Sequence, residues 1–441
     1  MSVEKTSEIT DYIIGFLLGD ENADAKKYIS YTDDNSHFSQ YKLIIIPSGF
    51  FEKGVYGTPQ SIPELPLPLL EDTPVLFGQP KVEISNGTFI LHADFVASCF
   101  FLISRYEEII LREVRDEHGR FSGRNSLPFR AGFLNRPVVD EYGKLLRRYL
   151  RLTGINVTEP EKKINNIYLT HDVDQLAHYR NFNGIAGAFT RVLNKPSNLL
   201  KAINTYFFGL SNDPWFTFPW LFTLNNQLKS AKPDDKIENV VFIKTGGGKL
   251  QPDKPLHDIS DSDFQQLFAL CKENNVKIGL HPSYQAGIDA SLIASEKKIL
   301  DDFLVQQTKH TRNHFLASRE PEDFQVLADN GFTDDFTMAY ADVAGFRLGT
   351  CRAVKWINPA TMEITPLTLH PLTIMDTSLS DDRYMNLTEE NAFAVCTSLI
   401  EQVKKYNGDL VLLWHNTSVE KNNGLYHRNL YQEIINYLIN N

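Results

Sequence analysis

With 441 residues, 42% of them apolar, the chain is too long for one ordinary core, and two domains are expected. A formal charge of −11 excludes the bulk basic surface that nucleic acid requires. No apolar run approaches the ~18 residues that span a bilayer, and Met1-Ser-Val-Glu-Lys5 lacks a basic stretch leading into an apolar one, so a cytoplasmic location is expected.

The four cysteines, Cys99, Cys271, Cys351 and Cys396, are scattered without a C-x-x-C pair. They read as reduced core residues, and a cysteine-ligated metal is not expected. The first ~150 residues mix short strand-like runs, such as Tyr41-Lys-Leu-Ile-Ile-Ile-Pro47, with the proline-rich loop Ile62-Pro-Glu-Leu-Pro-Leu-Pro68. Asp94 to Glu108 has apolar residues at helical spacing and predicts a largely buried helix, with Arg105 and Glu108 able to pair at its end. Asp116-Glu-His-Gly-Arg-Phe121 reads as a structural turn, and a helix is predicted over Val138 to Leu152. The polar stretch Thr158-Glu-Pro-Glu-Lys-Lys-Ile164 marks a boundary, giving a mixed α+β domain over 1–160 and a second domain over 165–441.

Beyond Ile167 short apolar runs alternate with helical stretches, the pattern of βα units. Strands are predicted at 166–172, 239–245, 276–281, 311–316, 336–341, 364–369 and 409–415. Helices are predicted at 263–272, 291–308, 321–330 and 388–406, which together describe a distorted (β/α)7-type barrel. A long first connection, roughly 175–238, holds the aromatic stripe Trp215-Phe-Thr-Phe-Pro-Trp-Leu-Phe222, read as core rather than as a sugar platform. Thr245-Gly-Gly-Gly-Lys249 lacks the spacing of a phosphate loop and reads as a flexible βα connection.

Chemistry concentrates where predicted strands end. Asn166-Ile-Tyr-Leu-Thr-His-Asp-Val-Asp174 places Asp172 and Asp174 on one face of an extended backbone and His171 and Val173 on the other. Two carboxylates in one small space call for a proton or a cation, although an Asp-x-Asp alone also fits a helix cap beside a solvated carboxylate. His281, Arg312, His314 and His415 fall at the ends of three more predicted strands, where active sites of barrel-like folds lie. Zinc takes three protein ligands and leaves a position open, and Asp174, His281 and His314 are the candidate set.

These motifs resemble the polysaccharide deacetylase family (carbohydrate esterase 4, the NodB homology domain) over about 165–420. Thr170-His-Asp-Val-Asp174 is similar to one form of its first motif, which implies Asp172 as catalytic base and Asp174 as metal ligand. His281-Pro-Ser-Tyr-Gln285 is similar to its second motif but has Gln285 where the second histidine stands. Arg312 falls where an arginine orients the base, and Leu413-Trp-His415 matches the motif that supplies the general acid. Ala341 to Thr350 falls at the fourth motif without its tryptophan, and neither Asp342 nor Arg347 is given a role. Ser104-Arg-Tyr-Glu-Glu108 with Asp116 to Phe121 looks like an uncharacterised bacterial domain that precedes such domains, and implies no chemistry of its own.

The resemblance implies a divalent metal, zinc from the mixed histidine and carboxylate donors, and an N-deacetylase acting on an N-acetylated sugar or glycan precursor. Two alternatives stand beside it: another hydrolase of carbon–nitrogen bonds on the same scaffold, and a carbohydrate-binding protein that has lost the metal.

Overall fold

The computed structural model of the protein describes residues 3–180 and 196–441. Backbone packing divides the chain into two compact units, one of 1–164 with 316–373 and 401–409, the other of 165–315 with 374–400 and 410–441. Segments 316–373 and 401–409, expected in the barrel domain, thus cluster with the N-terminal residues.

In the first unit the strands Ile29–Tyr31, Leu43–Ile45 and Thr88–Ala93 run parallel in that order, and Gly78–Ser85 pairs antiparallel with Thr88–Ala93. The helix Phe95–Ile103 is buried along its whole length, as a sequence apolar on every face requires, and the hydroxyl of its one polar residue, Ser98, donates to the Asp94 carbonyl. Its N-cap Asp94 accepts from the Ala97 N–H at 2.9 Å. One continuous helix over 94–108 is not what forms. Arg105 takes a left-handed φ of 61°, and a second helix, Tyr106–Ile110, restarts beyond it. That break places the Arg105 guanidinium against the Glu108 carboxylate at 2.5 Å, with Arg347 on the same carboxylate at 2.8 Å. All three side chains are buried, so the cluster is held by charge-assisted bonds that would be costly to break singly. Val138–Leu152 forms with the predicted bounds.

The second unit carries six strands: β1 (Asn166–Val173), β2 (Lys236–Ile243), β3 (Lys277–Leu280), β4 (His310–Thr311), β5 (Ile374–Met375) and β6 (Asp409–Leu413). They lie in the order β4-β3-β2-β1-β6-β5, the cyclic order of a (β/α) barrel, with β4 and β5 outermost within the unit. Every register recorded among them is parallel. Helices Phe218–Ala231, Ser262–Glu273, Leu292–Leu304 and His427–Asn440 separate or follow them. Strand residues such as Val240, Val241, Leu410 and Leu412 are fully buried, as strands of a parallel sheet are. The chain is therefore mixed α/β, as its alternating pattern implies.

Two predicted strands differ, and one strand was not predicted. The run 311–316 is a strand only over His310–Thr311, because the chain turns through His314–Leu316 with Phe315 at φ 61°. Residues 336–341 are irregular, and the strand there is Asp334–Asp335. Val354–Asn358, not predicted, pairs antiparallel with Glu363–Leu369. Asn358 Oδ1 accepts from the Ala360 N–H at 3.0 Å, a local side-chain turn that folds the chain back before a crossover helix could form. Of the long first connection, 181–195 lies outside the described residues. Its aromatic stripe is core in the main: Phe216, Phe218, Leu221 and Phe222 are buried. All four cysteines are free and buried.

Candidate metal centre

The side chains of β1 alternate as its extended backbone demands. His171 points away from the aspartates, its Nδ1 2.8 Å from the Trp414 carbonyl and its Nε2 3.2 Å from Asn225 Nδ2, while Asn225 in turn accepts from the Tyr431 hydroxyl at 2.6 Å. The carbonyl can only accept, so His171 carries its proton on Nδ1. Burial pushes its pKa down to about 4, against smaller opposing effects of the Trp414 carbonyl and Asp172.

On the other face Asp172 and Asp174 turn towards one spot. Asp172 is buried, and its Oδ1 accepts from Arg312 Nη1 at 2.9 Å. Arg312 is itself fully buried, its guanidinium 4.5 Å from the centre of the Phe242 ring, so the cation is held between a carboxylate and an aromatic face. Asp174 Oδ1 lies 3.2 Å from His281 Nε2 and 3.1 Å from His314 Nδ1, and those two ring nitrogens are 3.0 Å apart. One ligand atom from each of the three residues falls within 4.8 Å of the others.

The outer nitrogens decide what the inner ones can do. His281 Nδ1 is 2.6 Å from the Arg312 carbonyl and His314 Nε2 is 2.9 Å from the Pro252 carbonyl. Both carbonyls are acceptors, so both outer nitrogens are N–H donors and both inner nitrogens present lone pairs. Two lone pairs and a carboxylate oxygen at this range repel unless a proton or a cation sits among them. The donor set, two imidazoles and one carboxylate with each histidine fixed by a backbone carbonyl, fits a divalent ion. Burial opposes ionisation of Asp174, but once a proton sits among the three groups the charge on His314 and His281, with that on His415, holds its carboxyl well below the usual range.

The loops behind the centre are pinned by buried polar groups. Asp253, fully buried, accepts from the Tyr284 N–H at 2.7 Å and from the Gly248 and Gln285 N–H groups at 3.0 and 3.1 Å. The glycine loop after β2 therefore gives an amide to a carboxylate of its own chain. The Gln285 side chain lies beside Gly248, where an added Cβ would meet its Oε1 at 3.0 Å, and takes no part in the His281, His314 and Asp174 contacts. His257 Nε2 fixes the end of β1, lying 3.1 and 3.0 Å from the carbonyls of Val173 and Asp174.

His415 follows β6, with its Nε2 3.7 Å from Asp174 Oδ2. Its Nδ1 is 2.8 Å from Asp376 Oδ1, and its own N–H donates to Asp376 Oδ2 at 2.8 Å. Asp376 also accepts from the Ser418 hydroxyl. Burial lowers the affinity of His415 for its proton, but Asp376, then Asp174 and Asp172, outweigh it and raise its pKa to about 10. Asp376 is the residue that sequence reasoning missed. It sits at the mouth of the two-residue strand Ile374–Met375, too short to show any periodicity, and only its position directly after an apolar run could have flagged it. Asp342 and Arg347 belong to the first unit, where Asp342 accepts from the Ser122 hydroxyl and the Gly123 N–H, and Arg347 holds Glu108.

Residues 8–154 match the model of a family of unknown function (DUF7033). Among curated proteins none matches the chain. A crystal structure described as "putative polysaccharide deacetylase from Mycobacterium smegmatis" is similar at 12% identity, covering 64% of this chain and 86% of that chain with a TM-score of 0.41. No helix among the described residues is long and apolar enough to cross a membrane.

Proposed function

We propose that the protein is a metal-dependent amide hydrolase that removes the acetyl group from an N-acetylated sugar or glycan precursor, with zinc as the ion. The observation that carries this reading is the pair of inward lone pairs on His281 and His314 facing the Asp174 carboxylate, with the Arg312-bonded Asp172 carboxylate on one side and the His415 imidazole on the other. A divalent ion held by Asp174, His281 and His314 would lower the pKa of a bound water and polarise an acyl oxygen.

The chain's own residues divide the remaining work. Asp172, aimed by the Arg312 guanidinium, accepts the proton of the attacking water. His415, its Nδ1 proton held by Asp376, keeps its Nε2 proton at neutral pH and delivers it to the departing amine. Amide cleavage needs such an acid beside the base, because an amine leaves only when protonated.

The test is elemental analysis of the purified protein, then release of acetate from N-acetylated oligosaccharides with and without added zinc. About one divalent ion per chain and zinc-dependent acetate release are expected. Failure to bind zinc, cobalt or nickel at micromolar levels would favour a carbohydrate-binding protein instead, and a metal-dependent activity confined to cyclic amides would move the reading to another carbon–nitrogen hydrolase.

A further inference from the structure

The first unit has a cleft of about 930 Å³ that runs along the edge strand Ile29–Tyr31, beside the first half of the helix Val3–Leu18. That volume is at the upper end for ligand clefts, large enough for a chain of several rings. It extends along the edge strand from Lys26 and Tyr41, before the strands, to their carboxyl ends, where ligands lie in open α/β sheets. Tyr31 ends the edge strand, the loop through Gly49 and Phe51 follows Leu43–Ile45, and Asp94 follows Thr88–Ala93.

One fully buried carboxylate ties these three strand ends together. Asp94 accepts from the Tyr31 hydroxyl at 2.9 Å, from the Ser48 N–H and hydroxyl at 2.8 Å each, and from the Ala97 N–H at 2.9 Å. The Tyr31 ring and the loop beside it are thereby fixed before any ligand arrives. Phe51 is braced in the same way, edge-on to Phe50 at 4.9 Å and to Phe100 at 5.2 Å. Tyr41 is half-buried on the wall.

The lining chemistry narrows the ligand. Asp11, Asp24 and Glu52 outnumber Lys26 and Lys27. Lys26 is bonded to Asp11 at 2.6 Å, and Lys27 lies 5.2 Å from the Tyr28 ring centre. A phosphate or nucleic-acid ligand would therefore meet net negative charge. An apolar ligand would strip water from carboxylates and hydroxyls without replacing their hydrogen bonds. A neutral polyhydroxylated chain meets neither penalty, because its hydroxyls donate to the carboxylates and its C–H faces cover Tyr31, Tyr41 and Phe51.

We propose that this cleft, between the helix Val3–Leu18 and the strand Ile29–Tyr31, binds a neutral oligosaccharide. The proposal rests on the first unit alone and stands whether or not the second unit hydrolyses amides.

The test titrates the full chain calorimetrically with tetramers of N-acetylglucosamine, glucose, xylose and mannose, with a galacturonate tetramer as anionic control. At least one neutral tetramer should bind at about 1 mM or tighter. Tyr41→Ala and the exposed Asp24→Ala should each weaken it by about tenfold or more, while Lys298→Ala, on the exposed surface of the other unit, should leave it within about twofold. Hydrogen exchange on the unmodified chain supplies a readout that needs no variant, with slowed amides expected across 28–51. Binding of no neutral tetramer, binding that survives both cleft substitutions, or preference for the anionic tetramer or for an extended peptide, would overturn the proposal.

Discussion

Replacing Asp376 by asparagine tests the proton chemistry most sharply, because it removes one charge and almost no volume. Asp376 is fully buried and receives two bonds from His415, at 2.8 Å each, and one from Ser418. With Asp174 and Asp172 it raises the pKa of His415 from 6.5 to about 10. At about 1.4 kcal/mol per tenfold, that preference for the charged imidazole is about 5 kcal/mol, of which Asp376 supplies the largest share. An amide in its place also competes to donate to Nδ1, favouring the wrong tautomer. His415 acts as an acid, so activity is retained while it is protonated and is lost as pH rises through its pKa. In Asp376→Asn the alkaline fall in kcat should therefore move down towards the ordinary histidine range. The value of kcat at pH 7 should drop by about 10²–10⁴ with KM within about threefold. The same shift has a stability side: a raised histidine pKa contributes stability that is present below about pH 6.5 and lost as pH rises through about 10, and the variant should lack that dependence. The assay is acetate release across pH 5–10 on metal-loaded protein, with metal content measured in parallel. A variant with kcat within about threefold of the parent and an unmoved alkaline limb would refute the assignment of His415 as acid and Asp376 as its partner.

Three further outcomes are expected. His314→Ala should weaken zinc binding by at least about 100-fold, whereas Gln285→Ala, whose side chain lies by Gly248, should change it by less than about threefold; calorimetric titration of both decides whether His314 takes the place of the absent second histidine. Asp172→Asn should keep its metal and lose about 10²–10⁴ in rate, and activity close to the parent's would remove Asp172 as the base. His171, buried and neutral with its pKa lowered to about 4, contributes stability that is complete above about pH 6.5 and is lost as pH falls towards 4, about 3 kcal/mol in all. Denaturant unfolding at pH 7, 6, 5 and 4 should show a shallower acid loss in His171→Gln, and identical slopes would show that His171 titrates alike in both states.

The residues gathered at the candidate centre were largely legible in the sequence because they are local events at strand ends. Pleating alone puts Asp172 and Asp174 on one face and sends His171 to the other, and that separation is what the structure shows. The apolar runs of β1, β2 and β6, each long enough to show a pattern, could be placed to within a few residues. Shorter pieces could not. Asp376 depends on a two-residue strand, and the direction of the His314 ring depends on a left-handed turn at Phe315 and on the Pro252 carbonyl, sixty-two positions earlier in the chain. Which segments pack together was equally a tertiary matter, since the sequence of 316–373 reads as barrel units like its neighbours yet the segment clusters with 1–164. Periodicity reports which face of an element is apolar, but not which of two cores that face will join. Tautomers are decided later still: only when carbonyls are brought against the outer nitrogens of His281 and His314 do the inner nitrogens become a pair of lone pairs facing a carboxylate.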